Sequence, residues 1–141
     1  MKKNKKVAVI VSQYWKELTR KLLNSCLEGL EKGGLPQNQI DVFETPGSLE
    51  IPLLAKKLAK KRKYKALIAL GVVLKGKTFH FEQVSVECVK GCQKVSLEFE
   101  IPIIFEVLCV YDKKDAIERI KKRGKEAAAA CLKMIKILES L

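Results

Sequence analysis

The stretch Ala66-Leu67-Ile68-Ala69-Leu70-Gly71-Val72-Val73-Leu74-Lys75-Gly76-Lys77-Thr78-Phe79-His80-Phe81 decides how the chain is read. Its first five residues, Ala66–Leu70, are apolar without alternation, which suits a strand covered on both faces, as in a parallel sheet. Gly71 and Gly76 follow, then Lys77, Thr78 and the sole histidine, His80, before a helical pattern sets in. Glycines at a strand's end let the backbone approach a ligand closely. A helix that starts there presents free N–H groups and the positive end of its dipole to an anion. The stretch can therefore hold a phosphate and set an acid–base group beside it.

Working outward, Val7–Val11 reads as a short buried strand, and Leu18, Leu22, Leu23, Cys26, Leu27 and Leu30 keep a helical period after it. Gly33-Gly34 and then Pro36 stop that helix. Ile40–Phe43 is the second strand, with Thr45-Pro46-Gly47-Ser48 as its exit turn. A second helix runs from Leu49 to about Arg62, with Pro52 in its first turn, where proline is tolerated. Ala66–Leu70 is the third strand, and a third helix runs from Phe79 or His80 to about Glu98. Ile101–Val110 is the fourth strand. Asp112 or Asp115 caps a helix through Arg123, and an alanine-rich helix, Lys125–Leu138, closes the chain.

This order, β-α-β-α-β-α-β-α-α, predicts an α/β fold: a three-layer α/β/α sandwich on a four-stranded parallel, flavodoxin-like sheet. Residues 1–141 are expected to form a single domain, with residues 1–6 a basic, flexible N-terminus. A ligand crevice is expected at the carboxyl ends of the strands, among Tyr14/Trp15, Pro46–Glu50, Val72–His80 and Cys109–Asp112.

Composition limits the function. No apolar run is long enough to cross a bilayer, and the start of the chain does not resemble a signal peptide, so a cytoplasmic protein is expected. Five cysteines, an odd count without paired zinc-like spacings, agree with a reducing compartment. Cys88 and Cys92 share a helix face, but with one histidine in the chain they read as small core residues and no metal site is expected. The net charge of +12 raises nucleic-acid binding as a function. Much of that charge lies at the N-terminus and in Lys56-Lys57 and Lys60-Lys61-Arg62-Lys63, the latter run opposite a face formed by Leu54, Ala55, Leu58 and Ala59. No aromatic residues interleave with these lysines to stack on bases, and a solvated helix face accounts for the run.

Two readings compete for the central stretch. Gly71 to Thr78 satisfies G-x-x-x-x-G-K-[ST], the P-loop of nucleotide-binding proteins, and Val107–Tyr111 with Asp112 imitates the acidic strand such proteins carry. Against it, Val72, Val73 and Leu74 are bulky where a phosphate-wrapping nest needs small residues. The second reading uses the whole chain. Ser12-Gln13-Tyr14, Thr45-Pro46-Gly47-Ser48-Leu49-Glu50-Ile51-Pro52, the block Leu70–Phe81, Pro102–Phe105 and Ala116–Arg119 occur in the order seen in lumazine synthases. From Val7 onward the chain resembles that family.

The resemblance implies an enzyme of riboflavin biosynthesis. Its reaction condenses 5-amino-6-(D-ribitylamino)uracil with 3,4-dihydroxy-2-butanone 4-phosphate to 6,7-dimethyl-8-ribityllumazine, releasing phosphate and water, with no metal or organic cofactor. By the same resemblance Tyr14 stacks on the pyrimidine, Ser48, Leu49 and Glu50 hold the ribityl chain, and Val72, Val73 and Leu74 meet the ring edge through their backbone. Lys77, Thr78, Arg119 and Lys125 take the butanone phosphate, His80 transfers protons, and Phe105 comes from a neighbouring subunit. A homo-oligomer built on pentamers is implied, with a sixty-chain shell left open and riboflavin synthase a candidate partner. Read from the residues alone, Tyr14 and Trp15 also fit a clasp over the first helix, Glu50 a helix-dipole partner and Arg119 a surface residue. For His80 the anion-ready loop favours a proton-transfer role over a structural one, because histidine both gives and takes protons near neutrality. The chain departs from the family pattern at Trp15, where asparagine is usual, at Glu106 for glycine and at Cys109 for threonine. The glycine-rich joint near Ile120–Lys125 is also shorter, which makes Lys121 and Lys122 competitors of Lys125.

Overall fold

The computed structural model describes residues 6–141. Strand β1 (Lys6–Ser12) leads to helix α1 (Lys16–Lys32), β2 (Ile40–Thr45), α2 (Ile51–Lys60), β3 (Tyr64–Leu74), α3 (His80–Phe99), β4 (Ile103–Val110) and α4 (Lys113–Glu139). The four strands are all parallel in the order β2-β1-β3-β4. Helices cover both faces, so the expected three-layer, flavodoxin-like arrangement is what the chain adopts. Of the basic stretch at 1–6, Lys6 lies in β1; the expectation of flexibility otherwise falls outside the described residues.

The unbroken apolar runs of β1 and β3 feed two cores at once. Val7, Val9 and Val11 join Ala66, Ile68, Leu70 and Val72 under α1 and α4. Ala8 and Ile10 join Leu67, Ala69 and Val73 under α2 and α3, with Cys88 and Cys92 buried in that second cluster. Period-two alternation within a strand therefore becomes one continuous apolar word in the sequence.

Several boundaries differ from expectation, three of them with consequences. First, β3 continues through Gly71–Leu74, which the sequence suggested were loop, because β4 runs beside them with Gly71 opposite Val107 and Leu74 opposite Val110. Valines suit a half-covered strand, and the P-loop reading fails here: a paired extended strand cannot wrap a phosphate. Second, β4 starts at Ile103 rather than Ile101, although the Pro102 carbonyl still accepts from the Leu67 N–H at 2.9 Å. Third, the two closing helices are one, α4, capped by Asp112, whose carboxylate accepts from the Asp115 N–H at 3.0 Å. Gly124 does not break α4. It faces α1 so closely that a Cβ there would sit 2.6 Å from Ser25 Cβ and Oγ and 2.9 Å from the Leu22 carbonyl oxygen. Ser25 Oγ donates across the same contact to the Lys121 carbonyl at 2.6 Å. A shorter difference lies before α2, where a 3-10 turn over Ser48–Glu50 delays the helix to Ile51.

Candidate active site

At the carboxyl ends of β1 and β3 the chain forms a cleft of about 570 Å³. Its floor comes from a difference in strand length. Pairing of β3 with β1 ends at Val11–Leu70, whereas pairing with β4 continues to Leu74. Gly71–Leu74 thus have a strand on one side only. Their other edge carries backbone donors and acceptors at the cleft, which Val72, Val73 and Leu74 line.

The turn after β2 brings the next group. Thr45 Oγ1 donates to the Gly47 carbonyl at 2.7 Å and folds the turn back on itself. Ser48 is buried against Gly71, where an added Cβ would come within 2.7 Å of the Ser48 Oγ. Glu50 Oε1 lies 3.0 Å from the Cβ position of Gly47. Both glycines are there for close approach, and together they seat Ser48, Leu49 and Glu50 along one wall.

Tyr14 also lines the cleft, largely exposed, with its ring edge-on to Trp15 at 5.7 Å. Trp15 has φ 59° and ψ 49°, the left-handed region that asparagine enters more readily than tryptophan. The expected family asparagine at this position has that backbone reason. Trp15 keeps the conformation because its carbonyl accepts from Leu18 and Thr19 and its ring packs on the core beneath Lys113 Nζ at 5.7 Å.

The remaining wall is the loop from β3 to α3. The Lys75 N–H donates to the Val110 carbonyl at 2.9 Å, tying the loop to the end of β4. Thr78 Oγ1 accepts from the His80 N–H at 3.3 Å at the start of α3. Thr78 and His80 both face the cleft, so an anion-ready helix end and an imidazole meet the free peptide edge of β3 in one space.

Four expected site residues lie elsewhere. Lys77 is exposed on the loop but does not line the cleft. Phe105 lies on β4, packed against the cluster under α2 and α3. Arg119 on α4 is held by its own helix, donating to the Asp115 carbonyl at 3.0 Å, and borders a separate hollow with Lys122 and Arg123. Lys125 borders a groove between α1 and α4, shared with Lys121. Trp15 and Lys75, expected at the crevice but not as ligand contacts, line the cleft, as do Phe81 and Val84, which were not expected there. The spacing of His80, Phe81 and Val84 around the first turn of a helix was the signal for the last two. Among the described residues, no three His, Cys, Asp or Glu side chains converge as a metal site needs.

Glu106, where the family pattern has glycine, is half-buried on β4 and sits 3.5 Å from Arg123. Burial pushes its carboxyl above the usual range, only partly opposed by Arg123.

Comparison with known proteins gives the family. The family model described as 6,7-dimethyl-8-ribityllumazine synthase matches residues 4–139. Similar curated proteins include the 6,7-dimethyl-8-ribityllumazine synthases of Coxiella burnetii strains CbuG_Q212 and RSA 493 / Nine Mile phase I. Each is 42% identical over 140 residues, covering 96% of this chain and 93% of the relative. The strain Dugway 5J108-111 protein is 41% identical over the same shares. With a match across nearly its whole length, the chain belongs to the 6,7-dimethyl-8-ribityllumazine synthase family.

Proposed function

We propose that the protein is a working lumazine synthase, joining 5-amino-6-(D-ribitylamino)uracil to 3,4-dihydroxy-2-butanone 4-phosphate in riboflavin biosynthesis. One observation carries the reading: a free peptide edge, an exposed aromatic ring and a helix start bearing Thr78 and His80 share one cleft. A pyrimidine ring needs the first two, for edge hydrogen bonds and offset stacking on Tyr14. The ribityl hydroxyls suit Ser48, the Leu49 backbone and Glu50. The phosphate suits the N–H groups at the start of α3 with Thr78, and Lys77 adds charge from the loop. His80 then moves protons during imine formation, phosphate loss and ring closure.

The positions of Phe105, Arg119 and Lys125 outside this cleft fit a site completed by a second copy of the chain. The outer face of α3 supports such assembly. Phe79, Val86, Val89 and Leu97 recur at helical spacing and are exposed, opposite the buried Val84, Cys88, Cys92 and Val95. Exposed apolar stripes of this kind mark contacts with partners. A pentamer is the closed ring we propose, with the sixty-chain shell and an association with riboflavin synthase as further steps. A cytoplasmic location is proposed on the five free cysteines, and no described helix is long and apolar enough to cross a membrane.

Mixing the pure protein with both substrates, without added metal, should produce a fluorescent lumazine. Magnesium-dependent ATP turnover without lumazine would overturn the proposal. Light scattering should give a multiple of five chains, and full activity at the mass of one chain would exclude a shared site.

A further inference from the structure

The loop that carries Lys77, Thr78 and His80 is closed at its base by a contact that the reaction does not itself require. Lys75, the first residue after β3, reaches Glu82 in the first turn of α3, with Nζ 2.6 Å from Oε2. The same ammonium lies 5.5 Å from the centre of the Phe81 ring, which in turn packs on Tyr111 at 6.2 Å. The backbone of Lys75 is already fixed to β4 through the Val110 carbonyl. The second oxygen of Glu82, Oε1, is shielded from solvent without a hydrogen-bond partner. Lys75 thus supplies the side-chain contact that orients this carboxylate.

We propose that Glu82 is a positioning residue for the phosphate-binding loop: by holding Lys75 it joins the two ends of the loop and sets Thr78 and His80 toward the cleft. This rests on the reading of the cleft given above. Three features support it. The pair spans the loop, so breaking it removes the side-chain tie between its two ends while the Lys75 backbone stays bonded to β4. It sits over an aromatic ring that lines the cleft, so the lysine has two reasons to stay in place. The Lys75 hydrogen bond also holds the Glu82 carboxyl below the usual carboxylate range. Lys75 lines the cleft, yet with its charge committed to Glu82 it serves the phosphate through the loop's shape. An exposed ion pair adds little to global stability, so the effect belongs in catalysis rather than in the melting curve.

The test is a cycle of Glu82→Gln, Lys75→Met and the double variant in the full-length protein. Steady-state constants are measured for each substrate, with amide hydrogen exchange over residues 76–80. Glu82→Gln should lower kcat/KM for the butanone phosphate roughly ten- to a hundred-fold, the scale expected of a misplaced catalytic loop. The KM for the pyrimidine and the melting temperature should stay put. Exchange at 76–80 should quicken, and the double variant should lose no more than either single one. Wild-type-like kinetics in Glu82→Gln, an equal loss for both substrates with a lowered melting temperature, or additive losses in the double variant would each overturn the proposal. Absence of lumazine formation in the unmodified protein would instead reject the reading of the cleft. Exchange alone then decides on Glu82, with unchanged rates at 76–80 counting against it.

Discussion

The tasks proposed for single side chains in this cleft are separable, and exposure decides how cleanly each can be tested. His80 is exposed at the first residue of α3. His80→Ala should therefore leave the melting curve unchanged while slowing turnover by the hundred-fold or more that a lost acid–base group costs. An intact rate with a lowered melting temperature would make the imidazole structural. Gly71 is the opposite kind of position, because it acts by having no side chain. In Gly71→Ala the new methyl would press on Ser48 Oγ at 2.7 Å, with Ser12 Cβ and Val107 Cγ1 at 3.4 Å. Ser48 belongs to the wall proposed for the ribityl chain, so the pyrimidine KM should rise and the butanone phosphate KM should hold. Stability should fall by about 1–3 kcal/mol, as for other overpacked sites, measurable by denaturant titration. The sequence suggested that the glycine admits a ligand; the structure sets Ser48, some twenty positions away along the chain, against it, which no local pattern could state.

Elements were legible where a single periodicity governed them. The strands β1, β2 and β3 and the first three helices could be read because apolar runs and glycine stops lie within a few residues of one another. The closing segment misled because glycine has two uses. Gly124 carries the stop signal of a helix end, yet serves a close approach of α4 to α1. Gly124→Ala tests this directly. A helix interior gains up to about 1 kcal/mol from alanine, but the methyl would meet backbone of α1, which cannot swing aside, and overpacking costs about 1–3 kcal/mol. Net destabilisation is expected in a thermal melt; stabilisation would mean that α1 and α4 separate easily. At the other end of the sheet, Asp41 of β2 accepts from the Tyr64 hydroxyl of β3 at 2.8 Å and lies 3.5 Å from Lys6 of β1. The Tyr64 hydrogen bond holds the Asp41 carboxyl low, while burial and then Asp41 push the Tyr64 hydroxyl up. A lowered aspartate adds stability that is present above its unfolded value near pH 4 and lost as pH falls through the folded one. A raised tyrosine adds stability that is present below about pH 10 and lost as pH rises beyond it. Tyr64→Phe should thus cost about 1–2 kcal/mol at pH 7, and the gap from the unmodified protein should narrow in acid. A gap independent of pH would show that packing, not the hydroxyl, was lost.

At the scale of the whole molecule, the motifs pointed to more residues than one chain can assemble. Tyr14, Ser48, Glu50, Thr78 and His80 gather because strand ends on one side of a parallel sheet must converge. Arg119, Lys125 and Phe105 stay apart, and no pattern within a single sequence states which surfaces of two copies will meet. The distance of Arg119 from the cleft has a consequence that belongs to genetics as much as to chemistry. If Arg119 serves the next subunit, a chain disabled at His80 and a chain disabled at Arg119 are each inactive alone. Unfolded together and reassembled, or expressed from two alleles in one cell, they form mixed rings. There an intact cleft from one chain meets an intact arginine from the other, and part of the activity returns. Two populations of inactive protein would then make riboflavin precursor jointly, whereas two that each use their own arginine would stay silent in any mixture.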